Sequence, residues 1–313
     1  DMKNVEKKLY GRKASHVMKT DIKETDNGYE LVVDLPGFTK DEVQATLENG
    51  YLTISAEKGL DKEEIVGAGV GVPGPADEEG NVPVAVNLHW GFVPLSKELS
   101  EKTGLAVRIG NDANVAALGE MWKGGAVGYH NVVMVTLGTG VGGGIIVDGK
   151  IVAGAHGAGG EVGHACVEPE EEAVCNCGNH GCLEQMTSAT GIVRLAKKYL
   201  ASHDTPSSLR ERGESISAKA VFDALKEGDA AAEAIVQEFS EYLGRALAVF
   251  ACVVDPEVIV VGGGVSKAGQ ILIDGVAKYY REAAFIACKD TPIVLASLGN
   301  DAGIYGAAKM LID

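Results

Sequence analysis

The sequence predicts an α/β fold for most of the chain, preceded by a different, β-rich segment. From Ile65 onward, apolar β-branched runs alternate with amphipathic helical segments, the pattern of proteins built around a mostly parallel sheet. Several of these runs end in glycine-rich turns, and ligands of open α/β sheets bind at such strand ends. The 313 residues are enough for two domains and a sizeable core.

Composition excludes several classes of function. Hydrophobic residues make up 46% of the chain and charged residues 23%, which is typical of a globular protein. The formal net charge of −16 argues against binding to nucleic acid or an anionic membrane. No apolar run reaches the ~18 residues of a membrane span, and no signal peptide opens the sequence. The six cysteines are mostly clustered, which favours metal binding in a reducing cytoplasm.

Residues 1–63 have a different texture from the rest. The short runs ELVVDLPGF, VQATLE and YLTISAEK, separated by turn signals such as Asn49-Gly50, predict a small antiparallel β-unit. Residues 17–60 closely resemble the opening of the α-crystallin domain of the Hsp20 family, in which DLPGF is followed by LENGYLTISA. The later strands of that domain do not follow. The resemblance therefore implies a partial Hsp20-like segment, joined within residues 59–64 to a different protein, and the chain looks like a chimera.

The second part opens with a predicted buried strand in EIVGAGVGVPGPADEEG, which ends in a Gly/Pro turn. Gly74 in this turn would let backbone approach a ligand, although an ordinary tight turn explains it equally well. SKELSEKTG predicts a short helix with Ser96 as its N-cap and Gly104 as its stop.

A carboxylate lies at the next strand end. The predicted strand Leu105–Ile109 leads to Asn111-Asp112, where a helix begins at once. Asp112 could there accept the proton of a hydroxyl that attacks a phosphoryl group. The alternative is that Asp112 only caps the helix.

A glycine-rich turn follows in NVVMVTLGTGVGGGIIVDGKIVAG, which predicts a β-hairpin. Such a turn can point backbone N–H groups and the Thr139 hydroxyl at phosphates. Glycines also serve β-bulges, so the turn alone is weakly specific.

The segment from Glu161 to Glu184 predicts a metal site. His164, Cys175, Cys177 and Cys182 have ligand-like spacing, and three thiolates with one imidazole suit a closed, structural zinc ion. Cys166 could replace one of the three cysteines, and the alternative reading is a set of buried or paired cysteines.

The remaining sequence continues the α/β alternation. The strand Glu257–Val261 ends in Gly262, Gly263 and Gly264, a passage into a helix that suits the edge of a nucleotide. The other predicted elements are the helices Gly191–Ala201, Ala218–Glu227, Ala230–Val253, Ile271–Ala284 and Asp301–Leu311 and the strand Pro292–Ala296.

Residues 64–313 resemble the ROK family (repressor, open reading frame, kinase), and most of all its bacterial glucokinases. The motifs that carry the resemblance in combination are GVPGP, NDANVAALGE, TLGTGVGGGI, GEVGH, CxCGxxGCLE and VDPEVIVVGGGV. The resemblance implies a two-lobed actin/hexokinase-like (ribonuclease H-like) fold. It divides the chain into a small lobe at residues 64–112 and a large lobe at 113–313, with the C-terminal helix returning to the small lobe. The implied activity is phosphorylation of a hexose, typically glucose, by Mg²⁺-ATP.

The resemblance also implies roles for individual residues. Asp112 would be the general base. Residues that hold the sugar would be Gly74, Asn111, Asp112, Glu161, His164 and Glu184. Those that face ATP would be Thr136, Gly138, Thr139, Gly262, Gly263 and Gly264. Structural zinc would be bound by His164, Cys175, Cys177 and Cys182. Family members commonly form dimers, so a homodimer is a further expectation.

One departure from the family concerns ATP. ROK kinases open with a hairpin bearing DxGGT, and the nearest match here is Asp34-Leu35-Pro36-Gly37-Phe38. Pro36 lacks a backbone N–H donor, and Phe38 stands in place of the threonine hydroxyl. We therefore expect weakened ATP binding and turnover. Two other functions remain open, a non-catalytic sugar sensor and a holdase built on the Hsp20-like segment.

Overall fold

The computed structural model describes residues 20–25, 28–33, 43–48, 51–56, 65–85 and 88–312. The chain divides into two compact units, Asp1–Val66 and Gly67–Asp313. The DLPGF motif at residues 34–38 lies outside the described residues. The finer division into lobes at residues 64–112 and 113–313 stays a prediction.

The first unit contains two antiparallel strand pairs. β1 (Thr20–Thr25) pairs with β2 (Gly28–Val33), and β3 (Val43–Glu48) pairs with β4 (Tyr51–Ala56). Strand structure therefore lies where the sequence predicts a β-rich segment, and the Hsp20 resemblance itself stays a prediction.

The second unit is built on a five-stranded sheet with the order β11-β10-β7-β8-β9. β10 runs parallel to both β7 and β11, whereas β8 and β9 continue antiparallel from β7. The strands are β7 (Val132–Leu137), β8 (Val141–Val147), β9 (Lys150–Ile151), β10 (Val258–Gly262) and β11 (Ile293–Leu295).

Side chains of this sheet enter two separate cores because successive residues of a strand face opposite sides. Val133, Val135 and Leu137 of β7 lie in the larger core. Val132 and Met134 lie in the smaller core on the other face. The helices of the unit are α1 (Leu95–Thr103), α2 (Asp112–Lys123), α3 (Leu183–Thr187), α4 (Ala189–Ser202), α5 (Ala218–Lys226), α6 (Ala230–Val254), α7 (Gln270–Ala283) and α8 (Ala302–Lys309). Helices α3 to α7 cover the larger core, and α2 contributes to the smaller one.

A separate parallel pair joins β5 (Ala68–Val72) to β6 (Val107–Asn111), with α1 in the connection. The predicted stop of α1 is confirmed, since Gly104 has a left-handed backbone with φ of 68°. The predicted N-cap is wrong. Pro94 occupies the cap position, and the Ser96 hydroxyl instead donates to the Val107 carbonyl over 2.8 Å. Ser96 therefore ties α1 to β6.

The C-terminal helix α8 packs directly on the backbone of β5 and α2. A Cβ atom at Gly69 would lie 2.0 Å from the Ala307 carbonyl oxygen, and one at Gly119 would lie 2.0 Å from that of Ala302. From the other side, a Cβ at Gly306 would lie 1.7 Å from the Val115 carbonyl oxygen. Glycine is therefore required at these contacts, which fix α8 against both β5 and α2.

In the part of the chain that the structure describes, every helix is too short or too polar to span a bilayer.

A buried carboxylate fixes the far end of α2. Glu120 is fully buried, and its oxygens accept hydrogen bonds from the backbone N–H groups of Gly125 (2.7 Å), Ser297 (3.0 Å) and Leu298 (2.8 Å). These bonds connect α2 to the turn that follows it and to the segment after β11. Three backbone donors thus depend on one side chain.

Replacing Glu120 tests this role. We expect Glu120→Ala to lower the free energy of unfolding by about 3–5 kcal/mol, because three N–H groups lose their acceptor at a buried site. Denaturant unfolding followed by circular dichroism measures the change. Lys123→Ala, at an exposed position one turn later, is the control and should shift stability by no more than about 0.5 kcal/mol. Equal stability of the two variants would contradict the assignment.

Candidate active site and metal centre

The end of β6 joins two of the residues predicted to hold a sugar. The Asn111 side-chain oxygen accepts hydrogen bonds from Ala113 N (3.0 Å) and Asn114 N (3.1 Å), so Asn111 is the N-cap of α2. Its Nδ2 donates to the Gly74 carbonyl over 3.2 Å. The turn after β5 and the start of α2 are therefore held together by one amide.

Asp112 is the first residue of α2, and its side chain is exposed. Its Oδ1 accepts from Ala113 N over 2.9 Å. The capping role that the sequence left open for Asp112 belongs to Asn111 instead. Asp112 therefore lies at a strand end, beside a helix N-terminus, where the sequence predicts the general base.

Helix α2 lies against β8 through its first turn. A Cβ atom at Gly142 would lie 2.7 Å from Thr136 Oγ1 and 3.1 Å from Ala113 Cβ. One at Gly144 would lie 2.9 Å from the Ala113 carbonyl oxygen. The glycines of β8 therefore let the residue after Asp112 approach the β7 strand that carries Thr136.

The residues predicted to face a nucleotide gather at the carboxyl ends of β7 and β10. Gly262 pairs with Thr136 across the parallel strands. Gly263 has φ of 85°, and a Cβ there would lie 2.5 Å from the Leu137 carbonyl oxygen, so only glycine fits. Among the residues that the structure describes, only the chain neighbours of Gly264 come within 4 Å of a Cβ built there.

The turn between β7 and β8 is anchored to the start of α4. The Gly138 carbonyl accepts from Ala189 N over 2.8 Å, and the Thr139 carbonyl accepts from the Thr190 hydroxyl over 2.9 Å. Thr139 itself is exposed. The backbone of this turn is thus fixed by its carbonyl groups.

The four predicted zinc ligands lie together. One ligand atom from each of His164, Cys175, Cys177 and Cys182 lies within 4.8 Å of the other three. The Cys175 Sγ to His164 Nδ1 distance is 3.7 Å, and the Cys177 Sγ to Cys182 Sγ distance is 3.6 Å. A tetrahedral zinc ion with its usual bond lengths separates its ligand atoms by about 3.6–3.8 Å. The donor set and these two distances therefore fit zinc, whereas sulfur atoms in a disulfide are about 2.05 Å apart.

The pKa values of the three thiols differ with their surroundings. Burial raises the pKa of Cys175 and raises that of Cys182 to about 12. A hydrogen bond from the Asn179 backbone lowers the pKa of the exposed Cys177. Without a cation, the two buried thiols would keep their protons, so the cluster needs a positive charge to act as three thiolates.

The cysteine loop is held by its backbone and by one carboxylate. Gly181 has φ of 67°, and a Cβ there would lie 1.9 Å from the Glu168 carbonyl oxygen. The Glu168 side chain accepts from the Tyr242 hydroxyl of α6 over 2.5 Å. The loop is thus packed against the large core.

The two ring nitrogens of His164 face different groups. Nδ1 faces the cysteine cluster, and Nε2 lies 3.9 Å from Glu161 Oε2. Both residues belong to a short turn that packs on β8, where a Cβ at Gly163 would lie 2.1 Å from the Val141 carbonyl oxygen. His164 can therefore bind a metal through one nitrogen and a polar ligand through the other.

Glu184 joins the cysteine loop to the glycine-rich turn. Its Oε2 accepts from Val141 N over 3.0 Å, at the start of β8. Its Oε1 lies 3.8 Å from Cys175 Sγ. A Cβ at Gly140 would lie 2.2 Å from Oε2, so a side chain there would displace this carboxylate.

Sequence reasoning missed Asn114. This side chain is buried, donates to the Gly159 carbonyl over 2.8 Å and accepts from Ile145 N over 3.2 Å. The only sequence sign was a polar residue on the buried face of α2, within NDAN. Its partners lie 31 and 45 residues away, which spacing alone does not reveal.

Two cavities, of about 320 and 480 Å³, lie around Glu168, Glu238 and Tyr242. None of the residues predicted for sugar or nucleotide lines either of them.

A family model matches most of the chain. The family model described as "ROK family" matches residues 32–313. The match therefore begins two residues before Asp34 and extends into the segment that resembles Hsp20.

Similar proteins include kinases and a repressor. A glucokinase of Halalkalibacterium halodurans is 44% identical over 249 residues, which cover 78% of this chain and 76% of that protein. A xylose repressor of Caldicellulosiruptor bescii is 33% identical over 251 residues, covering 79% of this chain and 63% of that protein. A crystal structure of a ROK family glucokinase from Streptomyces griseus, in complex with glucose and AMPPNP, is 33% identical with a TM-score of 0.67. It covers 79% of this chain and 81% of that one.

Proposed function

Because this chain belongs to the ROK family, we propose that it is an ATP-dependent hexose kinase that converts glucose to glucose 6-phosphate. The observation that carries the proposal is the position of Asp112. It lies at the N-terminus of α2, directly before Ala113. The side chains of Ala113 and Thr136 both lie beside Gly142. Similarity to a glucokinase at 44% identity and to a glucokinase structure with bound glucose supports glucose as the substrate.

In the proposed mechanism, Asp112 accepts the proton of the sugar 6-hydroxyl. The hydroxyl oxygen forms a bond to the γ-phosphorus of ATP while the bond to the bridging oxygen breaks, and ADP leaves. Positioning and charge stabilisation carry most of the rate in such transfers. Magnesium, when bound with the nucleotide, would neutralise phosphate charge. In ROK kinases the aspartate of DxGGT helps to place it, and the nearest match here, Asp34, lies outside the described residues.

The proposed sugar-binding wall consists of Gly74, Asn111, Glu161, His164 and Glu184. Asn111 precedes Asp112 and donates a hydrogen bond to the Gly74 carbonyl. Glu161 and the Nε2 of His164 lie side by side, and Glu184 reaches the start of β8. Carboxylates and imidazole nitrogen are suitable partners for sugar hydroxyls.

The proposed nucleotide site is the glycine-rich region at the ends of β7 and β10. Thr136, Gly138 and Thr139 would face the phosphates, and Gly262, Gly263 and Gly264 would face adenosine. Within the described part of the chain, a Cβ at Gly264 meets no other segment within 4 Å, which supports a ligand on that side. A homodimer and a cytoplasmic location remain predictions from the family resemblance and the composition.

Asp112→Asn tests the assignment of the base. The unaltered protein should release ADP only when glucose and Mg²⁺-ATP are both present. In the variant we expect kcat to fall by about 10²–10⁴-fold, because the carboxamide cannot accept the proton, while glucose binding is kept. Coupled ADP release and isothermal titration with glucose measure the two quantities.

Asp148→Asn, on the exposed turn between β8 and β9, is the matched control and should leave kcat unchanged. If the unaltered protein binds glucose yet releases no ADP, the non-catalytic sugar sensor replaces the kinase proposal. A panel of glucose, mannose, fructose and N-acetyl sugars decides the hexose.

We also propose that His164, Cys175, Cys177 and Cys182 bind a structural zinc ion. All four positions of a tetrahedral ion are then taken by protein, so the ion would close the loop and activate no water. The ion would fix the Nδ1 side of His164 and thereby the direction of Nε2 toward Glu161.

Metal analysis tests the zinc proposal. We expect about one zinc per chain in the unaltered protein and well under a tenth of that in Cys182→Ser, because structural zinc sites need all four ligands. Cys252→Ser, at an exposed position on α6 outside the cluster, should retain the metal. Zinc retained at full occupancy in Cys182→Ser would contradict this ligand set.

We propose that the segment around residues 34–38 weakens the binding of ATP. The family match begins at residue 32, which supports placing Asp34-Leu35-Pro36-Gly37-Phe38 where relatives carry DxGGT. We keep the Hsp20-like origin of residues 17–60, and hence the chimera, as a proposal that rests on sequence resemblance.

The double variant Pro36→Gly, Phe38→Thr changes this segment to DLGGT. We expect it to raise kcat/KM for ATP by about tenfold or more, because one backbone donor and one hydroxyl are regained for charged phosphate oxygens. Steady-state kinetics at saturating glucose measures the gain. Unchanged kcat/KM for ATP in the double variant would show that residues 34–38 do not limit the kinase.

A further inference from the structure

We infer that Asn114 is a positioning residue, which sets the distance between Asp112 and the wall formed by Glu161 and His164. This inference rests on the proposed kinase function, because it concerns how the same site is assembled.

The contacts of Asn114 join three segments that carry different parts of the site. Asn114 is the third residue of α2, two positions after Asp112. Its Nδ2 donates to the Gly159 carbonyl, in the loop that follows β9 and leads to Glu161, the sugar-side loop. Its Oδ1 accepts from Ile145 N of β8, the strand that follows the glycine-rich turn.

The surrounding backbone leaves little room for this loop to shift. A Cβ atom at Gly159 would lie 2.0 Å from the Val152 carbonyl oxygen. Gly160 has φ of 92°, and a Cβ there would lie 2.9 Å from the Gly143 carbonyl oxygen and 3.0 Å from Asn114 Oδ1. The loop is therefore pressed between Asn114 and the sheet immediately before the residues proposed to hold the sugar.

A carboxamide satisfies both partners from this position, whereas an ionised carboxylate satisfies only one of them. Asn114 is 3% exposed, so water cannot readily replace a lost bond. Aspartate has the same shape and could still accept from Ile145 N, but it would present an oxygen to the Gly159 carbonyl. Asn114→Asp therefore breaks the link to the sugar-side loop and keeps the link to β8.

The test compares Asn114→Asp with Glu120→Gln. Both are carboxylate–carboxamide exchanges at buried positions of α2, but Glu120 contacts Gly125, Ser297 and Leu298 rather than the sugar-side loop. We expect Asn114→Asp to lower kcat/KM for glucose by about 10–100-fold, because small displacements in an active site are costly to phosphoryl transfer. The affinity for AMPPNP should change by less than about threefold in both variants.

Hydrogen exchange supplies a readout that does not depend on activity. Peptides covering residues 153–164 should exchange faster in Asn114→Asp than in the unaltered protein, and at the normal rate in Glu120→Gln. If Asn114→Asp does not fold, Gly160→Ala perturbs the same contact from the loop side and should give the same pattern.

Failure of this inference and failure of the kinase proposal are distinguishable. Normal exchange of residues 153–164 in Asn114→Asp, or equal losses in kcat/KM for glucose in the two variants, would overturn the positioning role. Faster exchange in a protein that never phosphorylates a hexose would uphold the structural link and refute the kinase proposal together with the catalytic purpose of the link.

Discussion

The candidate site depends on direct backbone packing between helix α2 and the strands around it. Glycines of β8 let the first turn of α2 reach the sheet, and glycines of α2 and α8 let the two helices touch without intervening side chains. Backbone contacts of this kind cannot be adjusted by rotating a side chain. The N-terminus of α2, and Asp112 with it, therefore has a fixed position relative to β7.

Polar side chains of α2 and its N-cap connect the helix to more distant segments by hydrogen bonds. Asn111 connects α2 to the turn after β5, Asn114 connects it to β8 and the sugar-side loop, and Glu120 connects its far end to the segment after β11. Each of these side chains forms at least one hydrogen bond with a backbone group of a distant segment. The helix thus serves as the common frame for groups proposed to bind sugar and nucleotide.

Sequence patterns predicted the helices and strands better than their exact limits and the contacts between them. The continuous apolar runs of β7 and β10 were informative because both faces of those strands are buried. The strand predicted at Leu105–Ile109 instead spans Val107–Asn111, since its limits are set by pairing with β5. Ser96 has good N-cap chemistry, yet its hydroxyl bonds to Val107, a competition that local sequence does not record.

In the candidate site too, local spacing was easier to interpret than contacts between distant segments. Local spacing was enough to group His164 with the three cysteines, because one loop holds three of the four. Asn114 and Glu120 escaped notice because their partners are remote in sequence, and a polar residue within a helix more often faces solvent. Glu184 was identified, but its bond to Val141 could be found only in three dimensions.

The packing of α8 also bears on the order in which the chain can fold. β5 is among the earliest segments of its unit to be synthesised, and the helix that covers it is among the last. Contacts between such distant segments close large loops and form slowly. During synthesis, β5, β6 and α2 are therefore made well before the helix that covers them. One face of these elements stays accessible to proteases and chaperones until α8 has been synthesised.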